Sequence, residues 1–411
     1  MWHSEGVKYC ALLVASLLLC SAAEPDANAI SANIVARHTP YGPVMDPVFG
    51  SPDSDEIRTY SRCGDSAIWT GHFLAAESFR YKVTKSPEAL NNVKLALFAI
   101  RELLDVTGND LLARCAFPEN SPYASDIIAE ESRHGVYSGI VDGVKWTWIG
   151  ETSRDQIVGV MFGMTVAWDL ASDDPTVKSA VAWLSSRVAN YLLKHSWITF
   201  NPDGLPTTTF WGFAEEQLMI LKIARRANPG HFDKPYLTLS LTETPEAIIA
   251  IGIDAVDPYS SYYKFNLDYI TMWSMLTSGD SSYVTSNINT AYKILRTVTV
   301  DHQNPFFDMI DRAIKGNNNP ERDQRARDLL EQWLQRPRRN VYVDNTTLVR
   351  TCDNGSRACE PIPVPQRITT DFLWQRSPFQ LAGGGYSDIE GAGIDYTLPY
   401  WMARYYGVIQ E

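Results

Sequence analysis

The sequence lacks the short motifs that identify several classes of enzyme. Its 411 residues include six cysteines and seven histidines, but no Cys-x-x-Cys and no His-x-x-x-His pair. A Gly-rich phosphate loop and a Gly-x-Ser-x-Gly elbow are also missing. These absences argue against a zinc site, a phosphate-loop nucleotide enzyme and an α/β-hydrolase. The sequence therefore predicts no metal and no cofactor.

Positive charge is scarce relative to negative charge. The chain has 36 Lys and Arg residues against 48 Asp and Glu residues, so its net charge at pH 7 is −12. This balance would repel a polyanion such as nucleic acid, and it would repel an anionic membrane surface. The sequence therefore predicts no nucleic-acid partner.

Long apolar segments are missing except near the amino terminus. Lys8 precedes an apolar run over residues 11–19, and small residues at positions 21–23 suit cleavage. Because this run is too short to span a bilayer, residues 1–23 are predicted to be a secretory signal peptide. Lipid attachment at Cys20 is the alternative, although Leu19 stands where such sites need a small residue. We expect a secreted or extracytoplasmic protein without a transmembrane segment.

Four cysteines remain after the predicted signal peptide. Cys352 and Cys359 flank six residues rich in turn formers, which favours a local disulfide between them. That pairing leaves Cys63 and Cys115 for a second disulfide, as expected in an oxidising compartment. Four free buried thiols are the alternative.

The carboxyl-terminal region also contains two Asn-x-Ser/Thr sequons. Asn345 is followed by Thr346-Thr347, and Asn354 is followed by Gly355-Ser356. In a eukaryotic source, both asparagines are predicted acceptors for N-linked glycans.

Apolar residues recur at helical spacing along most of the chain, in pairs of helices joined by short polar turns. Three of these turns place a proline at the first position of the second helix, where its missing N–H costs nothing. The long connections follow the second helix of each pair, so they are expected to gather at one end of the molecule. The pairs are predicted to begin near Ser66, Ser153, Trp211, Tyr262 and Pro305, and a sixth leading helix covers residues 395–406.

The leading helices and their partners differ in pattern. Residues 157–164 are apolar on almost every side, which is typical of a covered helix, whereas the partner over residues 87–106 is amphipathic. The sequence therefore predicts an all-α fold, an (α/α)6 toroid of helical hairpins with long loops on one rim. Residues 63–411 would form this single domain, and residues 24–62 would be an extended amino-terminal arm.

Acidic residues stand where long loops meet leading helices, at Asp65, Asp155 and Glu215. A local role is the alternative, because an acid at such a position caps a helix or interacts with its dipole. Three coincident cases favour a shared site at one mouth of the toroid. A fourth acid, Asp388, lies in the last long loop and either reaches the same mouth or is solvated.

Arg154 and Asp155 form the most specific pattern. A planar donor beside an acceptor suits adjacent sugar hydroxyls, because each hydroxyl both donates and accepts. The segment Thr152-Ser153-Arg154-Asp155-Gln156 resembles the Arg-Asp segment that opens an inner helix in glucoamylase-like enzymes. With the helical pairs, it makes the chain similar to the six-hairpin glycosidase superfamily, which includes glycoside hydrolases, unsaturated glucuronyl hydrolases, polysaccharide lyases and sugar epimerases.

This resemblance implies that Arg154 and Asp155 hold the terminal sugar of a carbohydrate. The usual pair of catalytic glutamates of the superfamily has no clear counterpart in this sequence. The resemblance therefore leaves the type of reaction open.

Aromatic residues are abundant, with twelve Trp and twenty Tyr. Pyranose rings pack their C–H faces against such planes, and rings in loops are more informative than rings in helices. For the two loop tryptophans, Trp146 and Trp148, packing in the core is an equally good interpretation. The predicted sugar contacts, beside Arg154 and Asp155, are Trp69, Trp146, Trp148, Trp211 and His134.

The leading hypothesis is a carbohydrate-active enzyme that hydrolyses a glycosidic bond with two carboxyl groups. One carboxyl would protonate the leaving oxygen, and the other would activate water. We predict Asp65 and either Glu215 or Asp388 in these roles.

Two other functions are compatible with the sequence. A polysaccharide lyase or sugar epimerase would use His134, Tyr137 or His72 as acid and base. A non-catalytic protein that binds glycans or proteins is the other alternative, because a fold does not fix a function.

Overall fold

A computed structural model describes residues 23–259, 262–370 and 372–410. The predicted signal peptide lies outside the described residues except for Ala23. None of the described helices combines the length and the apolar character that crossing a bilayer requires. In chain order the described α-helices are α1 (Ala23–Asn33), α2 (Ser66–Thr84), α3 (Pro87–Asp105), α4 (Ala124–Glu131), α5 (Arg154–Ala171), α6 (Pro175–Lys194), α7 (Ala214–Ala227), α8 (Asp233–Thr242), α9 (Glu246–Ala255), α10 (Tyr263–Leu276), α11 (Ser282–Thr299), α12 (Pro305–Lys315), α13 (Pro320–Trp333) and α14 (Ile394–Tyr405).

Helices are present for all five predicted pairs, with an additional helix, α8, between α7 and α9, so the helical class of the fold is confirmed. Three partner helices begin where the turn chemistry predicts, because Ser86, Asp174 and Asn319 accept hydrogen bonds from first-turn N–H groups. Each leading helix contacts the next, in the order α2, α5, α7, α10, α12 and α14, and α14 contacts α2. The partner of α14 is α1, which comes from the other end of the chain.

Three glycines bring α2 and α5 into backbone contact. A side chain at Gly71 would place its Cβ 2.1 Å from the carbonyl oxygen of Gly159. A side chain at Gly163 would lie 2.3 Å from the carbonyl oxygen of Gly71. Because only glycine allows this approach, the two helices start side by side, with Asp65 before one and Asp155 in the first turn of the other.

Short antiparallel strands occupy the long connections, and the all-α prediction missed them. Among the described residues, one sheet has the order β3-β5-β4, and four further sheets are two-stranded. The Asp142-Gly143 dipeptide could have predicted the hairpin of β4 and β5 from the sequence. Both residues have positive φ, as its tight turn requires. The strands are β1 (Asp46–Phe49), β2 (Ile57–Ser61), β3 (Cys115–Pro118), β4 (Val136–Val141), β5 (Val144–Ile149), β6 (Ile198–Phe200), β7 (Pro206–Thr209), β8 (Val343–Asp344), β9 (Thr351–Cys352), β10 (Arg357–Ala358) and β11 (Ala382–Gly383).

The prediction of an extended arm over residues 24–62 is wrong. This segment contains α1, a π-helical turn at Ile34–His38, and the strands β1 and β2. Ile34 and Phe49 are fully buried, so the segment belongs to the core rather than to the surface. Its Pro and Gly content indicated a loop, but the packing of α1 against α14 overrides that local preference.

The aromatic stretch near the carboxyl terminus packs over the starts of the leading helices. The Phe372 ring lies 5.4 Å from the rings of both Trp69 and Phe306. Asn304, the N-cap of α12, donates a hydrogen bond of 2.9 Å to the Trp374 carbonyl oxygen. These contacts anchor residues 372–380 across one end of the helical bundle.

Both predicted disulfides are present, joining Cys63 to Cys115 and Cys352 to Cys359. The first closes 52 residues and ties the loop before α2 to β3. The second closes seven residues and holds the turn that carries Arg357.

Replacing each disulfide by two alanines is expected to destabilise the protein by different amounts. Loop-closure entropy gives about 4 kcal/mol for the longer loop and about 2 kcal/mol for the shorter one. Urea unfolding of the Cys63→Ala/Cys115→Ala and Cys352→Ala/Cys359→Ala variants measures both losses. A larger loss from the second variant would contradict this ranking.

Candidate functional site

Asp65 and Asp155 share one hydrogen-bond donor. Gln156 Nε2 lies 3.3 Å from Asp65 Oδ1 and 3.0 Å from Asp155 Oδ2. The amide orientation is fixed because Gln156 Oε1 accepts from the backbone N–H of Ile68 at 3.0 Å. The start of α5 therefore holds both carboxylates next to the start of α2.

The local interpretation of Asp65 does not hold. Asp65 occupies the N-cap position of α2, but its side chain makes no capping hydrogen bond. The Asp155 side chain also contacts another helix. It accepts a hydrogen bond of 2.7 Å from the Tyr263 hydroxyl at the start of α10. Three leading helices, α2, α5 and α10, thus contribute to one cluster.

Arg114 fixes the loops on which these acids stand. Its guanidinium donates to the carbonyl oxygens of Gly64 and Glu151 and to the Ser153 hydroxyl, at 2.7 to 2.8 Å. It also lies 3.8 Å from Asp65 Oδ1. A buried cation thereby links the entry to α2 with the entry to α5.

The carboxyl of Asp65 has the properties of a proton donor near neutral pH. Its side chain is 44% exposed, so solvent reaches one side of it, while neighbouring protein atoms desolvate the rest of the carboxyl. Burial raises the pKa of Asp65 to about 6, the negative charge of Asp155 adds to this rise, and Arg114 opposes it. A group with such a pKa exchanges its proton readily at neutral pH.

A cavity of about 330 Å³, here called the mouth cavity, opens beside these acids. Tyr263 lines it and reaches Asp155 through its hydroxyl. Arg376 also lines it and is attracted by the charge of Asp65. Tyr259 and Phe379 supply aromatic walls. The cavity is therefore lined by side chains that interact with the two acids, while Asp65 and Asp155 themselves lie behind Tyr263 and Arg376.

The disulfide between Cys352 and Cys359 shapes one wall of the mouth cavity. It closes the turn that carries Arg357, and the Arg357 guanidinium lies 3.6 Å from the centre of the Tyr259 ring. The stacked pair fixes both side chains.

Arg154 and Asp155 contact different neighbours, so the structure does not bring them together as a pair, and their joint grip on one sugar stays a prediction. The Arg154 guanidinium lies 3.2 Å from the centre of the Phe213 ring, and its Nε is 3.3 Å from Glu216 Oε2. Successive residues on a helix point about 100° apart. Arg154 therefore faces α7, whereas Asp155 faces α2 and α10.

Glu215, predicted to be catalytic, is buried in a separate acidic cluster between α7 and α10. Its side chain is 2% exposed, and its Oε2 has no hydrogen-bond partner among the described residues. Burial and the charge of Glu216 raise its pKa well above the usual value. Burial, followed by the charge of Asp254, likewise raises the pKa of Asp268. The structure therefore does not bring Glu215 together with Asp65 and Asp155, and its catalytic role stays a prediction.

His134 forms a dyad with Glu131 beside Asp65. His134 Nδ1 is 2.8 Å from Glu131 Oε2, and Glu131 Oε1 accepts from the Gly64 N–H at 2.8 Å. His72 has no such position, because it is fully buried among aromatic rings and burial lowers its pKa to about 4. His72 is therefore a neutral core histidine and not a base for a lyase.

Three of the predicted sugar-binding tryptophans have no free face toward the mouth cavity. Trp148 is 2% exposed and packs against Tyr137. Trp69 is 8% exposed and stacks on Phe372. Trp146 is also 8% exposed and lines a different cavity, next to α3. Trp211 alone of the four is open, at 62% exposure, and remains a predicted contact.

Asp388 lies at another place in the fold. Its carbonyl oxygen accepts from the Phe49 N–H in β1 and from Arg339. This backbone role fixes the last loop against β1, and the described contacts of Asp388 include neither Asp65 nor Asp155. The structure therefore does not bring Asp388 together with the other two acids, and its catalytic role stays a prediction.

The two sequons differ in accessibility, which corrects the prediction for Asn345. Asn345 is 2% exposed, and its Nδ2 donates to the Gln366 carbonyl oxygen at 3.0 Å. Asn354 is exposed at a turn. A glycan on Asn345 would break that buried bond.

In a glycosylating host, we expect a glycan on Asn354 and none on Asn345. Intact-mass measurement should show that Asn354→Gln loses the mass of one glycan, whereas Asn345→Gln leaves the glycan mass unchanged. Occupancy of Asn345 in folded, secreted protein would contradict the buried hydrogen bond.

Several site residues escaped the sequence analysis. Gln156 stands inside the predicted segment at 152–156, and Tyr263 is the first residue of a leading helix, but nothing local marks either as a partner of Asp155. Their roles follow only from the contacts among α2, α5 and α10.

Comparison of the chain with protein-family models, with curated proteins and with solved structures finds no match.

Proposed function

We propose that this chain is a secreted carbohydrate-active enzyme that hydrolyses a glycosidic bond, with its site at one end of an (α/α)6 toroid. The closed order of contacts among the six leading helices supports the toroid, and α1 supplies the sixth outer partner. Two disulfides are consistent with the predicted export through a signal peptide.

The pairing of Asp65 and Asp155 is the observation that carries this proposal. Both are partly accessible carboxylates next to residues that line the mouth cavity, and they share Gln156 Nε2 as a donor. The pKa of Asp65 is raised to about 6, chiefly by burial, while Asp155 accepts two hydrogen bonds as an ionised carboxylate does. Different environments for two neighbouring acids favour an acid role for one and an anionic role for the other.

The spacing supports a double displacement with retained configuration. Gln156 Nε2 donates to one oxygen of each carboxylate. The distance between these two oxygens therefore cannot exceed the sum of the two hydrogen-bond lengths. Retaining enzymes have carboxyls about 5 to 5.5 Å apart, whereas inverting enzymes need roughly 6.5 to 9.5 Å to admit a water. Asp155 would then be the nucleophile.

In this mechanism, Asp65 gives its proton to the glycosidic oxygen while Asp155 Oδ bonds to the anomeric carbon. The bond between that carbon and the leaving oxygen breaks. A water molecule then attacks the anomeric carbon, Asp65 takes the proton of the water, and the bond to Asp155 breaks. Tyr263 and Gln156 hold Asp155 in place.

The test is a panel of oligosaccharides, neutral and acidic, incubated with the parent protein and with the Asp65→Asn, Asp155→Asn and Asp301→Asn variants. Asp301 is an exposed acid and serves as the matched control. We expect the parent and the control to release reducing ends and the two site variants to release almost none. Proton NMR of the first product should show the anomeric configuration of the substrate. Binding of a glycan without any release would contradict hydrolysis and favour a binding protein.

A lyase or epimerase is the second candidate, because the Glu131–His134 dyad lies beside Asp65. A lyase would remove a proton next to a uronate carboxylate and form an unsaturated product. Ultraviolet absorbance appearing in the parent and disappearing in His134→Gln would favour this reaction over hydrolysis.

A further inference from the structure

A second cavity of about 450 Å³ lies between α3 and the amino-terminal segment, and we call it the α3 groove. Its lining is mostly apolar and includes Tyr41, Phe73, Leu95, Phe98 and Trp146. It shares no lining residue with the mouth cavity. The volume is within the range of small-molecule sites.

One carboxyl group lies in this apolar lining. Glu102 is 7% exposed. Among the described residues, no donor forms a hydrogen bond with its carboxyl group. Its neighbour Arg101 is turned away toward Asp105 and Asp142. Leaving a buried carboxyl without a partner is costly, so the position favours a ligand that supplies the missing donor.

The backbone at Gly42 packs closely against this carboxyl. Gly42 has a φ of +98°, and a side chain there would place its Cβ 2.7 Å from Glu102 Oε2. Any other residue at position 42 would therefore be strained and would crowd the acid.

The walls of the groove are largely preformed. Phe73 and Trp146 are buried at 2% and 8% exposure, and the Tyr41 hydroxyl is tied to Ser121 Oγ at 2.5 Å. Leu95 and Phe98 are each 45% exposed and form the entrance on α3. A ligand would enter between these two side chains and meet rigid aromatic faces before it reached Glu102.

We propose that the α3 groove binds a primary organic amine with an aromatic or alkyl body, its ammonium group on Glu102 and its body between Trp146 and Phe98. An ammonium group supplies the three donors that the buried carboxylate lacks. Aromatic faces attract a cation as well, and an anion would be repelled by Glu102. The apolar walls account for the body of the ligand.

The test uses three probes of similar shape, 2-phenylethylamine, 2-phenylethanol and 3-phenylpropionate, titrated into the full chain by calorimetry and followed by Trp fluorescence. We expect the amine to bind at least about tenfold more tightly than the alcohol, a difference of about 1.4 kcal/mol, and the acid not to bind. Glu102→Gln should weaken the amine at least about tenfold and change the alcohol less than twofold, because Gln keeps the shape and loses the charge. Glu246→Gln, at an exposed acid, should change neither.

The pH dependence gives a second readout. Burial raises the pKa of Glu102 to about 7; the charges of Asp142 and Asp105 add to this rise, and Arg101 opposes it. The other titratable group that faces the groove, Tyr41, has a raised pKa and stays neutral. Amine affinity should therefore rise about tenfold from pH 6 to pH 8, as the ionised fraction of such an acid does.

Equal affinity for the amine and the alcohol, or amine binding that survives Glu102→Gln, would overturn the proposal. Absence of binding by all three probes would overturn it too. If Glu102→Gln does not fold, Phe98→Ala replaces it and should weaken the amine and the alcohol alike. Asp65→Asn should leave amine binding unchanged, so the amine site and the proposed hydrolase site are tested independently.

Discussion

Asp65→Asn should lower kcat by about 10² to 10⁴-fold, the range that a positioned proton donor contributes. Asparagine keeps the size of the side chain and its bond to Gln156, but it has no proton to give to a leaving oxygen. The dependence of kcat/KM on pH should also lose its limb near pH 6, because burial sets the pKa of Asp65 at about 6. The control is Asp301→Asn, which should retain the parent profile.

A structural explanation of such a loss can be separated from a catalytic one. The folded protein disfavours the ionised form of Asp65, so replacing it with a neutral amide should not lower the melting temperature at pH 8. Activity of Asp65→Asn within threefold of the parent would remove Asp65 from the chemistry. A lost limb near pH 6 with an unchanged melting temperature would assign it the role of acid.

Arg154→Met should lower the free energy of unfolding by about 1.4 kcal/mol at pH 8, because a Glu216 without its cation takes up a proton, which costs about 1.4 kcal/mol for each pH unit above its present pKa of about 7. Glu216 is 3% exposed, and Arg154 is the cation that lies 3.3 Å from it. Methionine preserves much of the packing on Phe213. The loss should therefore come from the carboxylate and not from a cavity.

The pH dependence of this loss has a definite sign. Burial raises the pKa of Glu216 from 4.5 to about 7, although Arg154 opposes the rise. The folded chain thus holds a proton that the unfolded chain releases, so stability falls as pH rises from about 4.5 to 7. Without Arg154 this fall should continue above pH 7, and the variant should be much closer to the parent at pH 5.

Urea unfolding at pH 5 and pH 8 measures both effects. The matched variants are Glu216→Gln and the double variant Arg154→Met/Glu216→Gln, which should recover most of the stability lost at pH 8, because the buried charge is gone. A loss that is the same at both pH values would show that Arg154 acts by packing alone.

The helical scaffold could be predicted because its signals are local. Proline after a polar cap and apolar residues at helical spacing depend on a few neighbouring positions, and the predicted pairs begin within three residues of the observed helices. The amino-terminal segment was predicted to be an extended arm because its burial is not a local property. That burial depends on α14, more than 300 residues away in the sequence.

The site could be predicted only in part, for a geometric reason. A loop–helix junction rich in acids identified Asp65 and Asp155, but the sequence could not tell which way each side chain points. Arg154 and Asp155 are neighbours that face different helices, and Glu215 is buried although it stands at the same kind of junction as Asp65. The burial of Trp148 depends on the sheet of β3, β4 and β5, whose register the helical pattern did not reveal.

The central claim is that Asp65 and Asp155 act together on one glycosidic bond. The most direct measurement is a crystal structure of Asp65→Asn with an oligosaccharide that the parent protein cleaves. We expect the scissile oxygen at hydrogen-bond distance from residue 65 and the anomeric carbon facing Asp155, with the sugar in the mouth cavity against Tyr263. A sugar bound elsewhere, with its scissile bond out of reach of both side chains, would contradict it.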